Sequence, residues 1–428
     1  MSILRIFFYI LLAAIGSQLH AQNLTVSAYS RYALGDIIDN TTTRNAGMGG
    51  LGIATDNFFA INRANPASYA DIIFSTMDIG VFGQPNQIRT EAGENRPITA
   101  GFQNLSFAFP ANKGPVIAFG FAPYSTTGYD ILDSREIQLD TAYIQEVNYQ
   151  GDGGLNQVFL GTAFKFLNNK LRVGFNANYI FGNTLLSWDY TLRNTDSTLV
   201  TGITPTSIVR DVYVRGLQGQ AGLMYVDTLN SEKRKYIRLG ATADYSLNLR
   251  ADRFTISNSD TVSASDLTRI QLPSKFGVGV MIHQLAHWSL GVDFTYQDWN
   301  TFQYFDDSTA LGPEFRIGVG GEWIPDVESF KYLRRIAYRV GFYTKQTYIL
   351  VEDQPISDLG FSFGFGLPTG RSGNNRFNRG RSSSRVNLSF ELGRRGNLAA
   401  GFPVEENYAR IRLGINLNER WFVRRVVD

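Results

Sequence analysis

From Trp288 to Tyr296 every second residue is large and apolar (Trp288, Leu290, Val292, Phe294, Tyr296), while the residues between them are Ser289, Gly291, Asp293 and Thr295. Period two places the two sets on opposite faces of a β-strand, so this spacing commits the segment to a sheet with one apolar and one polar face. Leu171–Phe181 and Ile237–Leu249 repeat the pattern over eleven and thirteen residues, and it recurs in Phe315–Trp323, Leu359–Leu367, Val386–Leu392 and Ile411–Leu417. A mean hydropathy of -0.14 conceals this, because alternating residues average towards zero.

A soluble sandwich also alternates, and the residues of the polar face decide between the two. That face carries Gly, Asn, Ser and isolated charges such as Asp244, Asp293, Arg316, Glu322, Arg339, Glu391 and Arg412. Aromatic residues recur at the ends of the apolar stripes, at Tyr179, Phe181, Trp288, Tyr296, Trp299 and Trp323, as in the girdles of a membrane barrel. Segments of about nine to eleven residues or more span a bilayer as tilted strands. The fold expected is all-β: a transmembrane, antiparallel, up-and-down barrel of about fourteen strands closed around an N-terminal plug. The strands fall at 73–82, 99–109, 115–124, 153–166, 170–190, 209–226, 235–250, 271–282, 286–303, 313–324, 335–349, 357–367, 384–395 and 408–422. Longer connections such as 125–152 and 251–270 read as outer loops and short ones such as 167–169 as inner turns. The Gly/Ser/Arg-rich run 368–383 is too long for its place on the inner side.

The chain begins with Arg5, an apolar run from Ile6 to Ile15 and then Ala21-Gln22, which reads as a signal peptide over 1–21. The run is too short for a spanning helix. Residues 22–70 form the expected plug and 71–428 the wall. Within the plug, glycines at 47, 49, 50 and 52 allow tight bends, Ile53, Phe58, Phe59 and Ile61 are apolar, and Asn65-Pro66-Ala67 closes the segment. There is no cysteine, hence no disulfide framework, and a net charge of +2 favours neither nucleic acid nor an acidic partner.

The glycine-rich N-terminal segment ending in Asn65-Pro66-Ala67, followed by a wall of about fourteen strands, resembles the FadL/TodX-type outer-membrane transport proteins of Gram-negative bacteria. That resemblance implies passive transport of hydrophobic small molecules such as long-chain fatty acids, past an N-terminal hatch and through a side opening at a defect in the third strand. The third strand holds Gly120 and Pro123, which bulge or end a strand, so these two are the candidates for such an opening. Departures are visible: the motif continues as Ser68-Tyr69, and the chain ends in a charged tail. The same plan also resembles the accessory barrel of type IX secretion, which binds secreted protein cargo.

A carrier of fatty acids needs an apolar cavity and cations for the head group. The plug offers Ile53, Phe58, Phe59 and Ile61 for the first and Arg63 for the second, with Arg172 and Arg316 as wall alternatives. Each has a structural competitor, since a plug buries a core of its own and lumen arginines pair with lumen acids. No enzyme is expected. The mature chain holds only His283 and His287, around a turn and without neighbouring acids or thiols to complete a catalytic or metal site. No cofactor is expected either. Partners are a hydrophobic small molecule or lipid, the outer-membrane lipid around a monomer, and, on the competing reading, a periplasmic or secretion partner.

Overall fold

The computed structural model describes residues 25–55, 58–111, 114–138, 142–196, 198–200, 202–258, 260–302, 305, 311–369 and 384–419, without the side chains of 260–266. The expected signal peptide lies outside these residues. Fourteen antiparallel strands close a barrel. They are β1 (Ser75–Thr90), β2 (Ile98–Pro110), β3 (Val116–Gln138), β4 (Ala142–Phe166), β5 (Leu171–Asn194), β6 (Thr206–Asn230) and β7 (Lys235–Ser246). The second half comprises β8 (Lys275–Gln284), β9 (Trp288–Asp298), β10 (Pro313–Trp323), β11 (Ala337–Val351), β12 (Gln354–Pro368), β13 (Arg385–Arg395) and β14 (Glu405–Glu419). Each pairs with the next, and β14 closes on β1 from Glu405↔Arg89 to Glu419↔Ser75.

Apolar residues of the alternating stripes face outward all round the wall. Phe119, Val158, Phe175, Leu223, Leu239, Val278, Val292, Val319, Phe342, Phe361 and Ile411 are all exposed. Their polar neighbours turn inward and are buried, as Asp293, Gln220, Ser362 and Arg412 are. A belt of this kind is stable only in hydrocarbon, where closure of the sheet also leaves no backbone edge unpaired. No helix among the described residues is long and apolar enough to cross a membrane, and the strands make the crossing.

The strands differ in length. Most have 10–16 residues, but β3, β4, β5 and β6 have 23–25. At ~3.3 Å per residue the long ones reach roughly 80 Å, far beyond a bilayer. The segment 125–152, read from sequence as an outer loop, is therefore the upper part of the β3–β4 hairpin. Likewise 251–270 is a second hairpin, whose first strand Leu249–Ser257 adds to the top of β6 while β7 pairs directly with β8 below it. Together these segments raise a sheet above the barrel on one side only. Below the wall, β12 pairs directly with β13, so the long connection between them costs no strand; residues 370–383 lie outside the described structure.

Candidate functional site

Residues 25–55 and 58–74 run inside the barrel, bonded to strands on several sides of it. The Asn65-Pro66-Ala67 motif starts a 3-10 turn, Pro66–Asp71. The Asn65 side chain caps it, accepting from the Ala67 N–H at 3.0 Å, and its amide donates to the carbonyls of Ile53 at 2.7 Å and Leu223 at 3.1 Å. One side chain thus satisfies its own turn, the preceding loop and the wall. The wall receives it through a notch: Gly174 and Gly222 are direct partners on β5 and β6, and a Cβ on Gly222 would lie 2.1 Å from Asn65 Oδ1. Across the lumen, a Cβ on Gly341 would stand 2.1 Å from the Gly49 nitrogen. Backbone meets backbone on both sides, which only glycine permits.

Charge fixes what the glycines admit. Asp71 binds Arg238 of β7 at 2.7 Å and Arg172 of β5 at 2.8 Å. Burial alone would raise the Asp71 carboxyl, but these two guanidinium groups outweigh it and hold the group below its ordinary value. Asp293 of β9 accepts the N–H groups of Gly52 at 2.6 Å and Ile53 at 2.8 Å. Glu322 of β10 binds Arg44 at 3.0 Å and Arg339 at 2.7 Å. Asp39 faces Lys275 and Arg316; burial would raise its carboxyl, and Lys345, Lys275 and Arg316 together push it well below the carboxylate range.

The five residues expected to form a pocket do not share a cavity. Ile61 packs with Tyr69, Ile72, Val116 and Phe159 in a small core at the inner end. Phe59 is 38 % exposed and stacks on Phe74, and Phe58 lies under the Arg238 guanidinium. Ile53 borders a cavity of ≈ 80 Å³ and Arg63 a neighbouring one of ≈ 190 Å³, the two sharing Ile37, Ile38, Asp39, Thr41, Gly50 and Arg316 in their walls. Arg172 and Arg316 are engaged by Asp71 and by Asp39 and the Gly49 carbonyl, respectively. His283 is buried against Tyr236, and among the described residues no three His, Cys, Asp or Glu side chains stand as a metal-binding group.

The ≈ 190 Å³ cavity is strongly ionic: Asp36, Asp39, Asp358, Glu391 and Glu406 face Arg63, Arg316, Lys345, Arg395, Arg410 and Arg412 across it. Most of these charges are already matched, Arg395 by Asp36 at 2.9 Å and Arg412 by Glu391 at 2.6 Å. On one side the cavity meets Phe82, Phe102 and Pro123.

Pro123 marks a seam in the wall. Pairing between β2 and β3 stops at Leu105↔Phe121, and the β3–β4 register shifts between Pro123 and Ser125. Gly120 lies below the seam, within intact pairing to Ser106 and Phe159. Above it, β3 parts from β2 and takes a partner from inside: Asp36 and Ile37 pair with Thr126 and Ser125, and the Ile38 N–H donates to the Tyr124 carbonyl. Higher still, a vestibule of ≈ 620 Å³ opens between the raised sheet and residues Ser30–Ala33, lined by Tyr129, Tyr149, Leu186 and Trp188 with Arg31, Arg135 and Arg210. This vestibule has no common signature in the sequence: Tyr129, Arg135 and Tyr149 fall in 125–152, expected as an outer loop, Leu186, Trp188 and Arg210 in expected strands, and Arg31 in the expected plug.

A fourteen-stranded antiparallel sheet closed on itself, with an apolar outer belt, is a β-barrel of the membrane-spanning class. The chain belongs to the BamG family, whose model matches residues 3–428. Its fold is shared with the Ralstonia pickettii toluene transporter TbuX (13% identity, TM-score 0.56, 89% of this chain and 98% of that one). A Pseudomonas aeruginosa FadL homologue (10%, 0.55, 90% and 99%) and the CymD monoaromatic hydrocarbon channel (11%, 0.54, 90% and 99%) share it as well. At these identities the expected likeness to FadL/TodX proteins is one of fold. No curated protein matches the sequence.

Proposed function

We propose that the protein is a plugged, non-conducting barrel of the Gram-negative outer membrane that acts as an accessory subunit, binding a partner polypeptide on its outer side. The observation that carries this reading is the lumen: the inner segment is bonded to opposite walls, and the central cavity is small and lined by eleven charged side chains. Such a cavity is below the ~300–1,000 Å³ of ordinary ligand sites, and a hydrophobe seated in it would lie against charged side chains as well as apolar ones. The raised sheet and its vestibule supply the outward surface that a binding role needs. The outward apolar residues all round the closed sheet support insertion in a membrane, and we take the inserted form to be a monomer.

A second reading is supported by the seam at Pro123 and by the fold shared with hydrocarbon and toluene transporters. On it, a hydrophobic molecule such as a long-chain fatty acid enters beside Phe82 and Phe102 with its anionic end towards Arg63, and leaves sideways between β2 and β3. One experiment separates the two: cells with and without the protein are compared for uptake of labelled oleate and toluene, alongside chemical cross-linking of the purified complex. The accessory reading expects equal uptake and a stoichiometric protein partner. Protein-dependent uptake with no partner would overturn it in favour of the carrier.

A further inference from the structure

We propose that the edge of β3 from Asp130 to Gln138 receives an extended segment of a partner polypeptide as an added antiparallel strand. The partner's inward side chains would fill the vestibule and its acidic residues would meet the vestibule arginines. This inference rests on the accessory reading and names where and how the partner binds.

The edge follows from the pairing. On the side that faces away from β4, the β3 backbone uses alternate residues: the Tyr124 carbonyl accepts from Ile38, Thr126 pairs with Asp36, and Gly128 exchanges bonds with the Ser30 hydroxyl, at 3.0 Å from its N–H and 3.2 Å to its carbonyl. Period two carries the same direction to Asp130, Leu132, Ser134 and Glu136. Among the described residues nothing pairs with them there. On its other side the strand is held to β4 up to Gln138↔Ala142, so the edge is a firm template.

Proteins normally cover or shorten an edge of this kind, because it invites a strand from another chain. Here it lies in the upper part of β3, whose 23 residues far exceed what a spanning strand needs, and Leu132 is 65% exposed. The segment 36–38 shows that the same edge accepts an antiparallel strand, and a partner strand would continue that row outward.

What lies beside the edge sets the chemistry of the partner. Ile131, Tyr149 and Trp188 are cross-strand neighbours on the vestibule face, an apolar and aromatic row next to where alternate partner side chains would point. Arg135 is matched by Asp133 at 2.9 Å, whereas Arg31 and Arg210 rest on the Tyr32 and Trp188 rings and leave the vestibule positive. The complementary strand carries apolar and acidic residues together on its alternate, vestibule-facing positions.

The test uses the purified full-length protein in detergent micelles and two fluorescein-labelled ten-residue peptides with threonine at every second position and, on the face between, valine and glutamate in turn (Val/Glu) or valine and lysine in turn (Val/Lys), read by fluorescence anisotropy. Leu132→Pro removes only an N–H that faces the open side, so the ladder to β4 keeps its bonds while augmentation is blocked. The Val/Glu peptide is expected to bind the wild type, and to bind L132P about tenfold or more weakly, with the Val/Lys peptide similarly weak. Arg31→Glu with Arg210→Glu, which leaves the edge untouched, is expected to reverse the peptide preference. Failure of the Val/Glu peptide to bind, equal binding by wild type and L132P, or no preference between peptides overturns the proposal. If a protein partner co-purifies equally with wild type and L132P, the accessory role stands and this edge is not its site.

Discussion

Asp71 in the inner segment and Arg238 on β7 meet at 2.7 Å with both side chains almost fully buried. The pair, completed by Arg172, fastens the last turn of the inner segment to the wall before the chain enters β1. Removing one member of such a pair leaves charge buried without a partner, which costs about 3–5 kcal/mol. Asp71→Asn is therefore expected to loosen residues 60–72 selectively, seen as faster hydrogen exchange there, while the strand ladders exchange as in the wild type. Unchanged exchange would mean that the triad contributes little to seating the segment.

The same carboxylate gives a pH dependence with a definite sign. Its affinity for a proton is lower in the folded protein than the ordinary value of 3.8. The stabilisation is complete above that ordinary value and is lost as pH falls through the lower folded value. Protection of residues 60–72 should stay constant from pH 7 to about 5 and fall only in strongly acidic solution. Loss of protection between pH 7 and 5 would point to a different group.

The glycine notch makes a steric prediction. A side chain at 222 would overlap Asn65 Oδ1, and a β-branched residue cannot swing clear. Gly222→Val should destabilise the seat by ~1–3 kcal/mol, as overpacking does. Gly202, with nothing within 4 Å of the position a Cβ would take, has a positive φ and makes a poor control; Gly83, equally open and with ordinary φ, should tolerate alanine. Both variants are read by proteolysis of the inner segment in the folded barrel.

Because the chain has no cysteine, a disulfide can report on the seam without background. Ile37 and Ser125 are direct partners. Cα separations in antiparallel pairs, ~4.5–5.5 Å, lie within the range a disulfide spans. Ile37→Cys with Ser125→Cys should oxidise readily and shift migration on a gel, and reduced, unlinked protein after mild oxidation would show that residues 36–38 do not stay on the edge.

The wall was legible because alternation and burial have the same cause: residues such as Leu290 and Asp293 must face lipid and lumen by turns, so each strand carries its own address. All fourteen expected segments correspond to barrel strands. The raised sheet was not legible. Above the membrane both faces of β3 and β4 meet water or a wide vestibule, so residues such as Asp130 and Asn148 no longer alternate cleanly with apolar neighbours and the segment resembles a loop. Ile180 misleads in the opposite sense. It sits among polar lumen positions yet is fully buried, because the upper lumen has an apolar core built with Leu155, Val214, Tyr29 and Leu34. The expected pocket rested on composition alone, and Phe58, Phe59 and Ile61 had a competing use as inner-end packing. A better signal lies in inward glycines such as Gly174, Gly222 and Gly341, which fall at polar-face positions and mark close approach of another backbone.

The glycine notches also bear on how the molecule comes to exist. The inner segment touches walls that lie on opposite sides of the ring, and its seats have no spare width at Gly222 or Gly341. A finished ring offers no gap through which a folded 3-10 turn could reach both. Seating the segment and closing β14 on β1 are then expected to be coupled steps, with the segment as a former on which the sheet curls.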